Sequence, residues 1–248
     1  MHPGAVKGDI EWYRGKALAS GGPVLEVGAG SGRVTIPIAE SGIPVHALDR
    51  EPSMLQALRQ KMAALSKETQ ARIAITDGDM RAFAIPDRFS LAIIPFRAFL
   101  HNQTADDQLA CLRCVREHLR PEGELAFNVF HPSLEYMARH AGVFEGVWRW
   151  SGTKDLADGA YVVYSEASSY DTVYQQVHSF IRCEEYGRDG LLARTFQFRL
   201  DLAYLYPSDI QRLLDAAGFD LIRISGSFEG RPLEHDGDEL VVEARRRE

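Results

Sequence analysis

Three glycines, Gly28, Gly30 and Gly32, follow the apolar run Val24–Val27 and lead into Arg33-Val34. A strand breaking into such a turn before a helix lets a ligand touch backbone, because glycine carries no Cβ and tolerates positive φ. The spacing predicts a helix start at Gly32 or Arg33, whose free N–H groups suit either a phosphate or a carboxylate. A dinucleotide fingerprint G-x-G-x-x-G needs glycine where this chain has Arg33. Glu26, two residues before the first glycine, places a carboxylate beside the site, where it repels a pyrophosphate and attracts an ammonium. A cationic, zwitterionic cofactor suits the turn better than a dinucleotide.

The elements that must hold this turn are legible in the pattern from Pro23 to Phe130, where short apolar runs alternate with amphipathic stretches, the mark of β-α-β units on a parallel sheet. The runs are Val24 to Val27, Val45 to Leu48, Ile73 to Thr76, Leu91 to Ile94 and Leu125 to Phe130. Helices are expected over Pro52 to Leu65 and Ala105 to Leu119, the second stopped by Pro121-Glu122-Gly123. After His131-Pro132 the stretches Tyr161 to Asp171, Thr172 to Tyr186 and Ala193 to Tyr206 read as antiparallel β-structure, turning at Tyr170-Asp171-Thr172 and at Gly187-Arg188-Asp189-Gly190. In the last of them Phe196, Phe198, Leu200, Leu202 and Tyr204 form one face, expected to pack, while Thr195, Gln197, Arg199 and Asp201 form the other. From Pro207 a helix capped by Ser208 or Asp209 and closed by Gly218 precedes two more strands, Phe219 to Ser225 and Glu239 to Ala244. The expected fold is α/β: a Rossmann-like, doubly wound seven-stranded sheet formed by residues 1–132 and 207–248, with an antiparallel insert at 133–206 after the fifth strand.

The 248 residues carry 28 Lys and Arg against 35 Asp and Glu, a formal charge of −7 that argues against nucleic acid as the main ligand. No apolar stretch approaches a membrane span, and Met1 to Asp9 lacks the blocks of a signal peptide. Three cysteines make no secreted disulfide framework, so a cytoplasmic location is expected. Cys111-x-x-Cys114 sits inside a helical pattern with no second pair or nearby histidine, which favours packed thiols over a metal site. Among the histidines, His101 and His131 stand just past the carboxyl ends of the fourth and fifth strands, the edge at which open α/β sheets bind ligands. Trp148, Trp150, Tyr161, Tyr164, Tyr170 and Tyr174 could wall a substrate pocket in the insert.

The run Glu26-x-Gly28-x-Gly30-x-Gly32 resembles motif I of the class I S-adenosylmethionine (SAM)-dependent methyltransferases, and further turns continue the likeness in order. The resemblance implies backbone contacts to SAM at Gly28, Ala29 and Gly30. It implies that Asp49, in Leu48-Asp49-Arg50-Glu51-Pro52-Ser53-Met54, holds the ribose hydroxyls with Met54 nearby. Asp77-Gly78-Asp79-Met80 is similar to the adenine segment, with Asp79 at the amino group and Met80 on the ring, and Pro95-Phe96 resembles the segment lining the sulfonium. Asp9-Ile10-Glu11-Trp12-Tyr13 is similar to an aromatic lead helix that closes over the cofactor through Tyr13. Ser90 departs from the usual acid after Phe89, and the pattern of nucleobase or glutamine methyltransferases after the fourth strand is missing. The implied activity is methyl transfer from SAM to a nitrogen or oxygen of a small metabolite, releasing S-adenosylhomocysteine (SAH), with His101 and then His131 as candidate general bases and the insert as lid. A nicotinamide oxidoreductase and a non-catalytic SAM-binding module with a protein partner are the alternatives, and the chain is compatible with a homodimer.

Overall fold

Apolar runs of four to six residues, bounded by turn residues and buried on both faces, become the central parallel strands, because β-α-β crossovers cover both sides of such a sheet. The computed structural model describes residues 8–140, 148–156 and 159–248; residues 1–7 of the N-terminal stretch read above lie outside it. Helix α1 (Asp9–Ser20) leads into β1 (Val24–Val27), α2 (Thr35–Glu40), β2 (Val45–Asp49), α3 (Pro52–Met62), α4 (Lys67–Ala71) and β3 (Ile73–Asp77). Then come β4 (Phe89–Ile94), a 3₁₀ turn (Ala98–His101), α5 (Ala105–His118) and β5 (Leu119–Phe130). After an inserted unit, α7 (Pro207–Ala216), β10 (Phe219–Ser225) and β11 (Glu239–Arg246) complete the core. The seven strands are ordered β10-β11-β5-β4-β1-β2-β3, with β10–β11 and β11–β5 antiparallel and the rest parallel.

The inserted unit, Pro132–Tyr204, carries α6 (Leu134–His140) and a four-stranded antiparallel sheet, β6 (Arg149–Asp155), β7 (Tyr161–Asp171), β8 (Gln176–Tyr186) and β9 (Leu192–Ala203), in that order. Strand β6 and helix α4 are short and polar and carry no periodic signal, which is why the pattern passes over them. No helix among the described residues is long and apolar enough to cross a membrane.

Several local expectations are corrected. Helix α2 begins at Thr35, not at Gly32 or Arg33, because residues 31–34 stay in turns, so the expected helix terminus is not at the glycines. Helix α5 ends at His118 with Leu119 as C-cap, within one residue of the expected end, but Pro121-Glu122-Gly123 lies within β5, with Glu122 at φ 61. The β7–β8 turn occupies 172–175, where Asp171 Oδ1 accepts from the N–H groups of Val173 and Tyr174. The helix after Pro207 has Tyr206 as N-cap, while Asp209 reaches back to accept from the Tyr206 N–H. The alternating face packs only at the end of β9 and just past it: Leu202 and Tyr204 are buried, whereas Phe196 and Phe198 remain 47% exposed, because no layer of described residues covers that part of the face.

Candidate active site

Chain order along the sheet runs outward from β1 through β2 to β3, then returns to the other side of β1 with β4. Crossovers leave opposite sides of the sheet at this point, which opens a crevice past the carboxyl ends of β1 and β4. The glycine turn and Pro95-Phe96 both stand there.

Gly28 has φ 73, and a Cβ on it would lie 2.7 Å from Ala98 Cβ, so only glycine lets the 3₁₀ turn close on the loop. The N–H groups of Gly28 and Ala29 both donate to Leu48 O, at 2.8 and 3.0 Å. Gly30 has φ 55, but a Cβ there would meet nothing within 4 Å. Its backbone faces open space. Its N–H donates to Asp49 Oδ2 at 2.7 Å, and Asp49 Oδ1 accepts from Glu51 N–H at 2.9 Å. Asp49 thus sets the loop, and an ionised carboxylate has acceptor sites left for a pair of hydroxyls.

Glu26 is 2% exposed, and its only hydrogen-bond partner among the described residues is the Thr35 hydroxyl at 2.6 Å. Burial pushes its carboxyl up to about 8, with Thr35 and Arg33 opposing and Asp49 adding to the rise. Arg33, which had counted only as a missing glycine, donates from Nη1 and Nη2 to the two oxygens of Asp9 at 3.1 and 2.5 Å and lies 4.7 Å over the Phe96 ring. The turn therefore offers a buried acid and a cation that already holds a second acid.

At the other end, Asp79 accepts three bonds from Arg81: the N–H and Nε to Oδ1, both 2.9 Å, and Nη2 to Oδ2 at 2.6 Å. Those bonds lower its carboxyl to about 2. A carboxylate has about four acceptor sites, so one remains for an amino group. Arg81 also donates to Asp107 Oδ1 at 2.8 Å, tying the segment to the first turn of α5. Met80 Sδ accepts from Asn102 Nδ2 at 3.1 Å, and its Cε would be 3.9 Å from a Cβ on Gly28. The Asp79-Met80 segment and the glycine turn are thus brought together. Met54, on the first turn of α3, is 47% exposed.

Phe96 and Arg97 both take left-handed backbone, φ 54 and 64, in the turn after β4. For residues with a Cβ this costs on the order of 1–3 kcal/mol each and marks a place the surroundings over-determine. Pro95 is buried and Phe96 is 50% exposed. Tyr13 is wholly buried, packed edge-on to Trp12, and donates to Asn128 Oδ1 at 2.8 Å. Burial, then the carboxylates of Asp9 and Glu239, raise its hydroxyl well above the usual range and hold it protonated.

His101 ends the 3₁₀ turn. Desolvation, then Arg50, lowers its imidazole below the usual range against Asp49, so it is neutral at pH 7. Its charged neighbours place it toward the end of β2. His131 has Nδ1 3.3 Å from His235 O, and since a carbonyl only accepts, Nδ1 carries the proton and Nε2 is the basic nitrogen. The insert aromatics are not gathered: Tyr161 stacks on Tyr186 at one end of the β7–β8 hairpin, while Tyr174 is 72% exposed at the turn, roughly 30 Å away at about 3.3 Å per residue. The idea that both wall one small pocket is therefore corrected. Cys111, Cys114 and Cys183 are buried, and burial raises all three thiols.

Fold and crevice define a seven-stranded, Rossmann-like enzyme of the class I methyltransferase type. Comparisons agree: residues 24–123 match the family described as "Methyltransferase domain". The cypemycin N-terminal methyltransferase of a Streptomyces species is 25% identical over 98% of this chain and 89% of its own length. The CcbJ methyltransferase from Streptomyces caelestis superposes with TM-score 0.79 at 27% identity, covering 97% of this chain and 90% of that one. The glycopeptide N-methyltransferase MtfA, solved with SAM, gives TM-score 0.60 at 26% identity over 96% and 92%. The chain is a SAM-dependent methyltransferase, with SAM as methyl donor and SAH as product. The oxidoreductase and the non-catalytic module are set aside. The site fits that cofactor, since the space over Gly30 is open and the buried Glu26 has a single partner.

Two outcomes follow from this geometry. A cofactor ammonium near Glu26 favours the ionised carboxyl, so binding below pH 8 should release a proton, and SAM affinity should rise with pH toward 8. Calorimetry at pH 7 in buffers of different ionisation enthalpy should find that proton and lose it in Glu26→Gln; affinity flat from about pH 6 to 8 would refute the contact. In the free protein the dependence runs the other way: the stability linked to protonated Glu26 is fully present below about 4.5 and fades as pH climbs through about 8. Asp79→Asn should weaken SAM by roughly five- to tenfold, the worth of a charge-assisted bond partly replaced by water, while Asp77→Asn at the exposed end of β3 changes it less than about twofold. The reverse ranking would move the adenine contact two residues upstream.

Proposed function

We propose that this enzyme methylates an amine nitrogen of a small acceptor, using Glu26 and Arg33 at the methionine end of SAM, Asp49 at the ribose, Asp79 and Met80 at the adenine, and Pro95-Phe96 beside the sulfonium. The observation that carries the nitrogen assignment is the extent of the likeness. The proteins named for N-terminal and glycopeptide N-methylation align over 98% and 96% of this chain, insert included, whereas the methyltransferase domain match ends at residue 123. The insert is the natural seat of acceptor choice, since the core is committed to the cofactor. A net charge of −7 suits a cationic amine better than a nucleic acid, and three unpaired thiols suit the cytoplasm.

SAM, when bound, supplies a methyl group already made electrophilic by the sulfonium. What remains for the chain is to align the acceptor, exclude water and take a proton from an ammonium. His131, with Nδ1 held by a carbonyl, presents Nε2 as base; His101, kept neutral, is the other candidate. We further propose residues 133–206 as the subdomain that selects the acceptor.

The test is incubation with SAM and a panel of aminosugars, peptides with free N-termini, and phenols or sugar hydroxyls, with products weighed by mass spectrometry. Methylation is expected on the amines alone; methylation confined to the hydroxyl acceptors would overturn the nitrogen assignment. On the best acceptor, loss of the base through His131→Ala or His101→Ala should lower kcat by about 100-fold or more, with SAM affinity nearly unchanged. Full kcat in both variants across pH would leave deprotonation to solvent.

A further inference from the structure

Asn128 is a polar residue in the middle of the apolar strand Leu125–Phe130 and is fully buried. Its Oδ1 accepts from the Tyr13 hydroxyl at 2.8 Å and from the Phe96 N–H at 2.9 Å, and its Nδ2 donates to Glu239 Oε1 at 2.6 Å. Glu239, on the neighbouring strand β11, in turn receives Arg97 Nη2 at 2.5 Å. The amide orientation is forced: turned over, its NH₂ would face the Phe96 N–H, and its oxygen would face a carboxylate. One side chain therefore joins lead helix α1, the turn after β4 and strand β11.

Both left-handed residues of that turn are secured through this amide, Phe96 directly and Arg97 through Glu239. Arg33 over the Phe96 ring, paired with Asp9, ties the same turn to α1 a second time. A strand needing only core packing would take a valine or leucine at 128 without the cost of burying an amide. The amide makes sense where geometry has to be exact at the two segments it bonds.

We propose that Asn128 is a positioning residue for methyl transfer, coupling Tyr13 of the lead helix to the strained Phe96–Arg97 turn so that the wall beside the sulfonium is set before SAM arrives. This rests on the reading above that Pro95-Phe96 faces the sulfonium. SAM and SAH differ at that sulfur alone, so a wall held out of place should penalise SAM more than SAH, whereas a general loosening of the fold penalises both alike.

Calorimetry with each ligand separates these cases. Asn128→Ala is expected to raise the Kd of SAM about tenfold, the equivalent of one net hydrogen bond, and that of SAH by about twofold or less. Tyr13→Phe should show the same bias, and the double variant should bind SAM little worse than Asn128→Ala alone, because both changes break one linkage. Equal losses for SAM and SAH, fold-changes that multiply in the double variant, or a folded Asn128→Ala with unchanged Kd would each overturn the proposal. Should Asn128→Ala fail to fold, the cycle is run with Asn128→Ser, which stays polar but is too short to reach both Tyr13 and Phe96. Wild-type protein that binds SAM and SAH but shows no such bias in its variants refutes the inference alone; wild-type protein that binds neither refutes the placement of the cofactor.

Discussion

The reversal of strand order at β1 is the constraint on which the rest of the site depends. Because β2 and β3 extend the sheet one way and β4 and β5 the other, the loops after β1 and β4 diverge from a common edge. They meet again at Gly28, where Ala98 comes close enough that no Cβ would fit, and at Arg33, which lies over the Phe96 ring. Asp49, at the end of the next strand, then holds the Gly30 N–H and keeps the loop from collapsing into the crevice. The surface proposed for the cofactor is thus backbone, fixed by one strand neighbour and one carboxylate.

Electrostatics complements this backbone unevenly along the site. At the end proposed for the adenine, Asp79 is ionised and clamped by Arg81, which is itself anchored to α5 through Asp107, so the acceptor group there is formed in advance. At the end proposed for the methionine moiety the charges are less settled. Glu26 is buried next to a cation already engaged by Asp9, and its carboxyl is held mostly neutral until a positive group comes near.

Much of this was legible in the sequence because it is local. The run into Gly28, the acid at Asp49 and the pair Asp79-Met80 each declare themselves within a few residues, and the structure places them around one crevice. What was not legible depends on partners far along the chain. Arg33 gives no local sign that it holds Asp9, 24 residues earlier, and Tyr13 gives none that it bonds Asn128, 115 residues later. The one clue was a polar residue inside an apolar strand, Asn128 in Leu125–Phe130, a pattern that signals an unmet hydrogen-bonding need but not its partner. The β9 face failed for a related reason: alternation tells which side chains share a face, but not whether another layer covers it, and at Phe196 and Phe198 it does not.

The neutral state of Glu26 is compatible with a cationic ligand because the energies are close. Holding the carboxyl near 8 means that ionising it at pH 7 costs about 1.4 kcal/mol, one pKa unit. A charge-assisted hydrogen bond to an ammonium contributes roughly 1.5–3 kcal/mol, enough to offset that cost with a modest surplus. A more deeply shifted acid would stay protonated and contribute no charge. One with an ordinary pKa would already be ionised in the free protein, so its charge would be present whether or not a cation were bound. The observed placement lies between these limits, so the negative charge under the turn is developed mainly when the cation that needs it is present.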